Sequence, residues 1–315
     1  MKEQKEIIYF ETVSDLYKAL GMSIEQNAQF TVNNLLNIHS EIPYKSPVFR
    51  ANYYSFLFIK SGLGNYTTDN NTFDYNNRTL YFTNPGHLKA FEFKQLKEGY
   101  LITLSEAFLK QNVKKEIFND FPFLLSEIVP PKQLSEQQYA EFETLYSQIF
   151  KEYQNNSQYK YKIIGSLFFV LLLRIKELFW SKYLPLEEGD RSSEIVNNFK
   201  KELEHHFKKL LNNEHQTLMQ PNDYANLQNL NSAYFSQVIT SKTGKSVSGW
   251  ISEKRILHAK SLLINTTLSV KEICYQLGYA EPAYFSKYFK KKEGISPTLF
   301  RKNFSINNNL KKVQD

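Results

Sequence analysis

Few residues in this chain have the type and spacing needed to make or break a covalent bond. Cys274 is the only cysteine, so no internal disulfide and no cysteine-based zinc or iron–sulfur site can form. Imidazole-liganded metals need several histidines with a carboxylate, yet the aromatic stretch around residues 50–95 offers only His87, with His39 upstream. No glycine-rich phosphate loop and no serine or cysteine nucleophile motif is present. The remaining polar chemistry is non-covalent. It is concentrated in two stretches, "AYFSQVITSKTG" (233–244) and "AYFSKYFKKKEG" (283–294), which set amide, hydroxyl and ammonium groups at helical intervals. Gln237 can offer a bidentate amide to an adenine edge and Lys287 can donate to a guanine edge. Lys242, Lys291, Lys292, Arg301 and Lys302 suit phosphate oxygens, which give affinity without sequence reading.

The two stretches are copies. At an offset of fifty, residues 233–251 and 283–301 are identical at seven of nineteen positions. In the second copy Ser269-Val270-Lys271-Glu272 is a capping box that starts a helix carrying Ile273, Cys274 and Leu277 on one face. Gly278 ends that helix, and Pro282 fits the first turn of the next, which runs to Gly294. In the first copy Pro221 opens the scaffold helix, Asn229 stands where the turn glycine would be, and Asn231 can cap the second helix. Two short helices joined by a tight turn form a helix-turn-helix. With Phe235, Val238 and Ile239 buried, the 3.6-residue period turns Ala233, Ser236, Gln237 and Thr240 outward; the matching set is Ala283, Ser286, Lys287 and Lys290. A connecting helix is expected over Ser246–Ile264.

Charge divides along the chain in the same way. Residues 191–315 hold 19 Lys+Arg against 10 Asp+Glu, a net +9, and residues 1–190 hold 20 against 22, a net −2. A basic end joined to a near-neutral one suggests a polyanion-binding module attached to something else. The N-terminus lacks a signal-peptide core, and the most apolar run, Ile163 to Leu173, is about half the roughly 20 residues of a membrane span, so a cytoplasmic protein without membrane contact is expected.

From "DYANLQNLNSAYFSQVITSKTGKSVSGWI" through "RILHAKSLL" to "SVKEICYQLGYAEPAYFSKYFKKKEGISPTLFR", the sequence resembles the tandem helix-turn-helix domain of the AraC/XylS family of bacterial transcription regulators. The resemblance covers about residues 205–303 and implies double-stranded DNA as partner, with base contacts from the outward positions named above. Cys274 stands where the family usually has alanine and Glu281 where aspartate is usual. A related fusion to DNA-repair alkyl acceptors needs a reactive cysteine; Cys274 lies on the buried face of a scaffold helix, where it reads as a small apolar filler.

Residues 53–93 are short aromatic and β-branched runs broken by Gly, Asn and Asp, a small β-sandwich or barrel. "FRANYYSFLFIKSGLGNYTTD" and "NNRTLYFTNPGH" resemble the cupin-like sensor domain that precedes the DNA-binding part in many family members. Lys89 occupies the place after "PG" where a metal-binding cupin would carry a histidine, so no metal and no cofactor is expected. Arg50, Tyr54, Phe56 and Phe82 are the pocket candidates for a small-molecule effector with an apolar body, Arg50 suiting a carboxylate or phosphate. "YYSFLFI" is apolar at nearly every position, which leaves the inward phase of the strand open.

Residues 111–190 are helical in pattern, and Ile163–Trp180 is apolar on all sides, as expected of a self-association helix. "LPLEEGDRSS" (184–193) has linker composition. The expected architecture is therefore α+β: a cupin-like sensor over 1–110, a helical dimerisation segment over 111–190 and an all-α tandem helix-turn-helix domain over 191–315. The expected function is an effector-responsive DNA-binding regulator, homodimeric, meeting RNA polymerase if it is an activator. The alternatives are a cupin enzyme with an appended DNA-binding domain and a non-specific architectural DNA-binding protein.

Overall fold

The computed structural model describes residues 7–25, 28–39, 41–69, 71–125, 128–180, 191–212 and 217–310. Residues 184–190 of the expected linker lie outside the described residues. The chain divides into two compact units, one of Met1–Asn197 with Ser241–Gly244 and one of Asn198–Thr240 with Lys245–Asp315. Among the described residues no helix is long and apolar enough to cross a membrane.

The first unit begins with β1 (Ile8–Phe10), α1 (Val13–Ala19), β2 (Phe30–Asn34), α2 (Leu35–Ile38), β3 (Tyr44–Lys45) and β4 (Phe49–Ala51). The long strand β5 (Tyr54–Thr68) follows, then β6 (Asn71–Tyr75), β7 (Thr79–Thr83) and the longer β8 (Leu88–Leu104). Among the described residues these strands and β9 (Lys132–Gln133) make one nine-stranded mixed sheet, parallel only where β1 meets β4. Its spine is the antiparallel β5–β8 ladder, from Tyr54↔Leu104 to Thr68↔Lys89, with register shifts between Ile59 and Gly64. Those shifts let a long ladder bend. Gly64 sits at the bend because a Cβ there would lie 1.9 Å from the Glu92 carbonyl oxygen.

Both faces of this ladder are covered, and that explains the uniformly apolar strand sequence. Tyr54, Phe56, Phe58, Leu80, Phe82, Ile102 and Leu104 pack on one face. They meet Phe142, Tyr146 and Ile149 of α5 (Glu136–Gln154) and Ile164, Phe168, Leu171, Leu172 and Ile175 of α6 (Lys160–Trp180). Phe56 meets Phe168 edge-on with ring centroids 5.0 Å apart. Leu57, Ile59, Tyr66, Tyr81, Phe93 and Leu101 form a second core on the opposite face. The helices of 111–180 thus share a core with the sheet; Lys60 of β5, which pairs with Glu143 of α5 at 2.8 Å and with Glu98, joins the two layers. Two short helical turns, α3 (Glu106–Phe108) and α4 (Ile117–Asp120), lead from β8 into this layer.

The C-terminal unit has only helices and connecting turns among its described residues: α7 (Arg191–Leu211, whose first residues belong to the first unit), α8 (Pro221–Leu227), α9 (Ser232–Thr243, whose last residues belong to the first unit), α10 (Val247–Asn265), α11 (Val270–Gln276), α12 (Pro282–Glu293) and α13 (Pro297–Leu310). Phe199 of α7 packs edge-on against Tyr224 of α8 at 5.3 Å and Phe235 of α9 at 5.6 Å, forming the core of the first copy. The second copy buries Ile273, Cys274, Leu277, Tyr279, Phe285 and Phe289 against Ile256, Ala259 and Leu263 of α10 and Phe300 of α13. Lys254 of α10, buried, pairs with Glu204 of α7.

The turns have the expected chemistry. Asn229 adopts φ 54° and Gly278 φ 70°, the left-handed region that lets each scaffold helix stop and the chain reverse. Ser269 accepts from the Glu272 N–H at 3.2 Å while the Glu272 carboxylate accepts from the Ser269 N–H at 2.7 Å, completing the capping box. Asn231 Oδ1 accepts from the Ala233 N–H at 2.9 Å and caps α9. Gly278 is confined doubly, since an added Cβ would lie 2.8 Å from Leu218 Cβ; at Gly294, φ 78°, it would meet nothing within 4 Å. Gly278→Ala should therefore cost more than Gly294→Ala, which carries only the backbone penalty of about 1–2 kcal/mol. Urea denaturation of both variants checks this; equal losses would mean the Leu218 contact yields without cost.

Candidate functional site

The two outward faces of α9 and α12 follow directly from what the helices bury. Phe235, Val238 and Ile239 are buried on α9, as are Phe285 and Phe289 on α12. The opposite phase leaves Ala233, Gln237 and Thr240 exposed on α9, and Ala283, Lys287 and Lys290 on α12, with Ser236 and Ser286 half-buried. The structure thus brings each predicted set together on one helix face. Lys291, Lys292 and Lys302 are exposed and Lys242 is half-buried.

Arg301, expected at phosphate, also has a partner within the fold. It is half-buried on α13, and its Nε donates to the Leu263 carbonyl at 3.0 Å, so its guanidinium joins α13 to α10. Sequence reasoning also passed over Tyr234 and Tyr284, the second residues of the repeated "AYFS", which are 43% and 60% exposed beside the outward sets. The signal was available: each stands three residues before an outward position, Gln237 or Lys287, the i, i+3 spacing that shares one helix face.

Arg255 is a second residue that the sequence did not mark. From α10 its Nε donates to the Leu277 carbonyl at 3.0 Å, while its guanidinium lies 3.3 Å from the Tyr279 ring centroid. It clamps the turn that aims α12, using a charged hydrogen bond and a cation–π contact together. Burial pulls its pKa down, and the neighbouring Tyr279 opposes that pull. Cys274 beneath the turn is fully buried, its Sγ 3.7 Å from the Tyr279 carbonyl, and burial pushes its thiol pKa up. A thiol in that setting is a packing group.

The first unit contains a cavity of about 200 Å³, but its walls are not the predicted ones. Tyr54, Phe56 and Phe82 point to the helical layer, on the other face of the sheet. Arg50 is not a wall residue either; its Nη1 donates to the Gly86 carbonyl at 2.6 Å. The neighbouring residues one step out of phase line the cavity instead: Tyr53, Ser55, Leu57 and Tyr81, with Thr83, Lys89, Phe91 and Phe93. His39 also lines it, its ring 4.3 Å from that of Tyr44 and between 5.3 and 5.4 Å from those of Phe93 and Phe91. His87 lies elsewhere, its Nδ1 2.8 Å from Asp69 Oδ2. Among the described residues no three His, Cys, Asp or Glu side chains gather as metal ligands would.

Residues 224–303 match the family described as a helix-turn-helix domain. The chain is 30% identical over 145 residues to the Msm operon regulatory protein of Streptococcus mutans, covering 46% of this chain and 49% of that one. It is 33% identical over 98 residues to the lactose operon transcription activator of Staphylococcus xylosus, covering 31% of this chain and 35% of that one. Among solved structures, ToxT from Vibrio cholerae is 16% identical, covers 87% of this chain and 98% of that one, and superposes with a TM-score of 0.34. The chain spans about half or less of the length of these curated relatives.

The surroundings of His39 set a pH dependence. Burial among aromatic rings holds the imidazole neutral and pulls its pKa from 6.5 down to about 4. The unfolded chain therefore binds a proton near pH 6.5 that the folded chain does not bind until about pH 4. The stability this group contributes is fully present above 6.5 and is lost as pH falls through that window. Relative to His39→Phe, the wild type should lose about 2 kcal/mol more between pH 7 and pH 5 in urea denaturation of the first unit. Parallel pH profiles would show that His39 titrates normally.

Proposed function

We propose that this chain, whose C-terminal unit carries an AraC-type helix-turn-helix domain, is a sequence-specific regulator of transcription. Its partner is double-stranded DNA, and it acts in the cytoplasm. The observation that carries the reading is the repeat itself: two second helices, α9 and α12, each with its aromatic residues buried and a matching polar set turned outward. Architectural binding would need the basic residues alone, whereas a duplicated helix with outward amide and ammonium groups at the same phase supplies readers as well. Ala233, Ser236, Gln237 and Thr240 of α9 and Ala283, Ser286, Lys287 and Lys290 of α12 are assigned to base edges. Lys242, Lys291, Lys292 and Lys302 are assigned to phosphates.

The distinction between readers and anchors is measurable in the full chain. Gln237→Ala or Lys287→Ala should weaken binding to the selected site by about 1–3 kcal/mol and relax base preference at one position. Lys291→Ala should weaken binding to all sequences alike and reduce the salt slope by about one. Identical behaviour of the three variants would refute the division of roles.

The first unit serves as the regulatory half, responding to a small-molecule effector by a shift between conformations that favour and disfavour DNA binding. RNA polymerase is the further partner where the protein activates. Self-association runs through α6, on which Ile163, Val170 and Leu173 stay 41%, 42% and 46% exposed at heptad-like intervals on an otherwise apolar helix. A homodimer places two tandem units on one operator and multiplies their engagement. Replacing both Val170 and Leu173 by Glu should convert a dimer to a monomer in sedimentation equilibrium. A wild type that sediments as a monomer at micromolar concentration would refute this use of α6.

A further inference from the structure

The cavity of the first unit has a polarity that its aromatic walls alone do not explain. Tyr44, Phe49, Leu57, Tyr81, Phe91 and Phe93 give it an apolar body. At one side stands Lys89 of β8, only 4% exposed, with its Nζ 5.9 Å from the Tyr53 ring centroid. Thr83 of β7 lines the same cavity at 5% exposure, and its Oγ1 forms no hydrogen bond among the described residues. An unpaired hydroxyl buried in a cavity is a standing cost that a ligand oxygen would remove. No aspartate or glutamate lines the cavity among the described residues, so its formal charge is that of one lysine. His39 adds none, since burial keeps its ring neutral at neutral pH.

We infer that this cavity is a binding site for a small cyclic monocarboxylate, with the carboxylate at Lys89 and Thr83 and the ring body against Phe91, Tyr81 and Leu57. One cation and one hydroxyl match one carboxylate: the ammonium gives a charge-assisted hydrogen bond and Thr83 donates a neutral one. A phosphate monoester, bearing close to two charges and more acceptor oxygens, would leave much of that charge uncompensated in an otherwise apolar site. A neutral sugar would leave its many hydroxyls facing aromatic carbon. The flat walls favour a ring over an extended chain, and the volume of about 200 Å³ limits the body to small ring systems. The inference deepens the effector-responsive reading above and rests on it for its purpose, although the binding is measurable without DNA.

The test is calorimetric titration of the full chain with cinnamate and 2-naphthoate, and with their primary amides, which keep the shape and lose the charge. At least one acid should bind, and its amide should bind about tenfold more weakly or worse. Lys89→Met should weaken the acid about tenfold and leave the amide within about twofold, and Thr83→Val should weaken the acid severalfold with little change in shape. The comparison of acid with amide on wild-type protein needs no variant, so a misfolded Lys89→Met chain would not spare the inference. Equal binding of acid and amide, binding indifferent to Lys89, or no binding by either pair would overturn it. Retained sequence-selective DNA binding alongside any of those results would confine the failure to the cavity. Carboxylate binding at Lys89 in a chain with no DNA sequence preference would instead overturn the regulatory reading.

Discussion

The direction of both second helices, α9 and α12, depends on one backbone conformation. At Asn229 and at Gly278 the chain passes through the left-handed region, with φ of 54° and 70°, and the direction of the following helix is set there. Residues with a Cβ pay about 1–2 kcal/mol for it, asparagine less because its short amide can hydrogen-bond locally. Around Gly278 the constraint is reinforced by Leu218 on one side and by Arg255 on the other, through the Leu277 carbonyl and the Tyr279 ring. Around Asn229 the chain is more exposed, and Gln228 stands half-buried where the second copy buries Leu277. The first copy takes its packing from α7, whose Phe199 reaches both Tyr224 and Phe235. The two copies therefore reach the same local geometry by different support.

The helical half was legible because its signals are local. Capping residues, turn residues and the spacing of buried aromatics all lie within one or two helical turns of the feature they determine, and the duplication made each signal checkable against its twin. The packing role of Arg301 was missed for the opposite reason. A cation near the end of a basic stretch looks like a phosphate contact, and only the fold reveals the Leu263 carbonyl in front of it. Arg255 was missed in the same way: its partners at Leu277 and Tyr279 lie more than twenty residues on.

The sheet of the first unit was legible as strands but not in phase. Period-2 alternation identifies the buried face only where the other face meets water. Here α5 and α6 cover one face and the second aromatic core occupies the other, so Tyr54 and Phe56 could not be told from Tyr53 and Leu57 by type. The aromatic pocket residues chosen from the sequence, Tyr54, Phe56 and Phe82, fell one step out of phase as a result. Lys89 did carry a signal: a lysine inside "GHLKAFEF", in a strand otherwise rich in aromatics, is out of place on a buried face unless something there needs a positive charge.

The central claim is that the duplicated helix reads sequence and does not merely attract polyanions. Selection of bound duplexes from a random library by the full chain, at two salt concentrations, tests it most directly. The account predicts two short base blocks about one helical turn apart, recovered at both concentrations with affinity falling as salt rises. Recovery of no motif, with binding that vanishes in the higher salt, would contradict it.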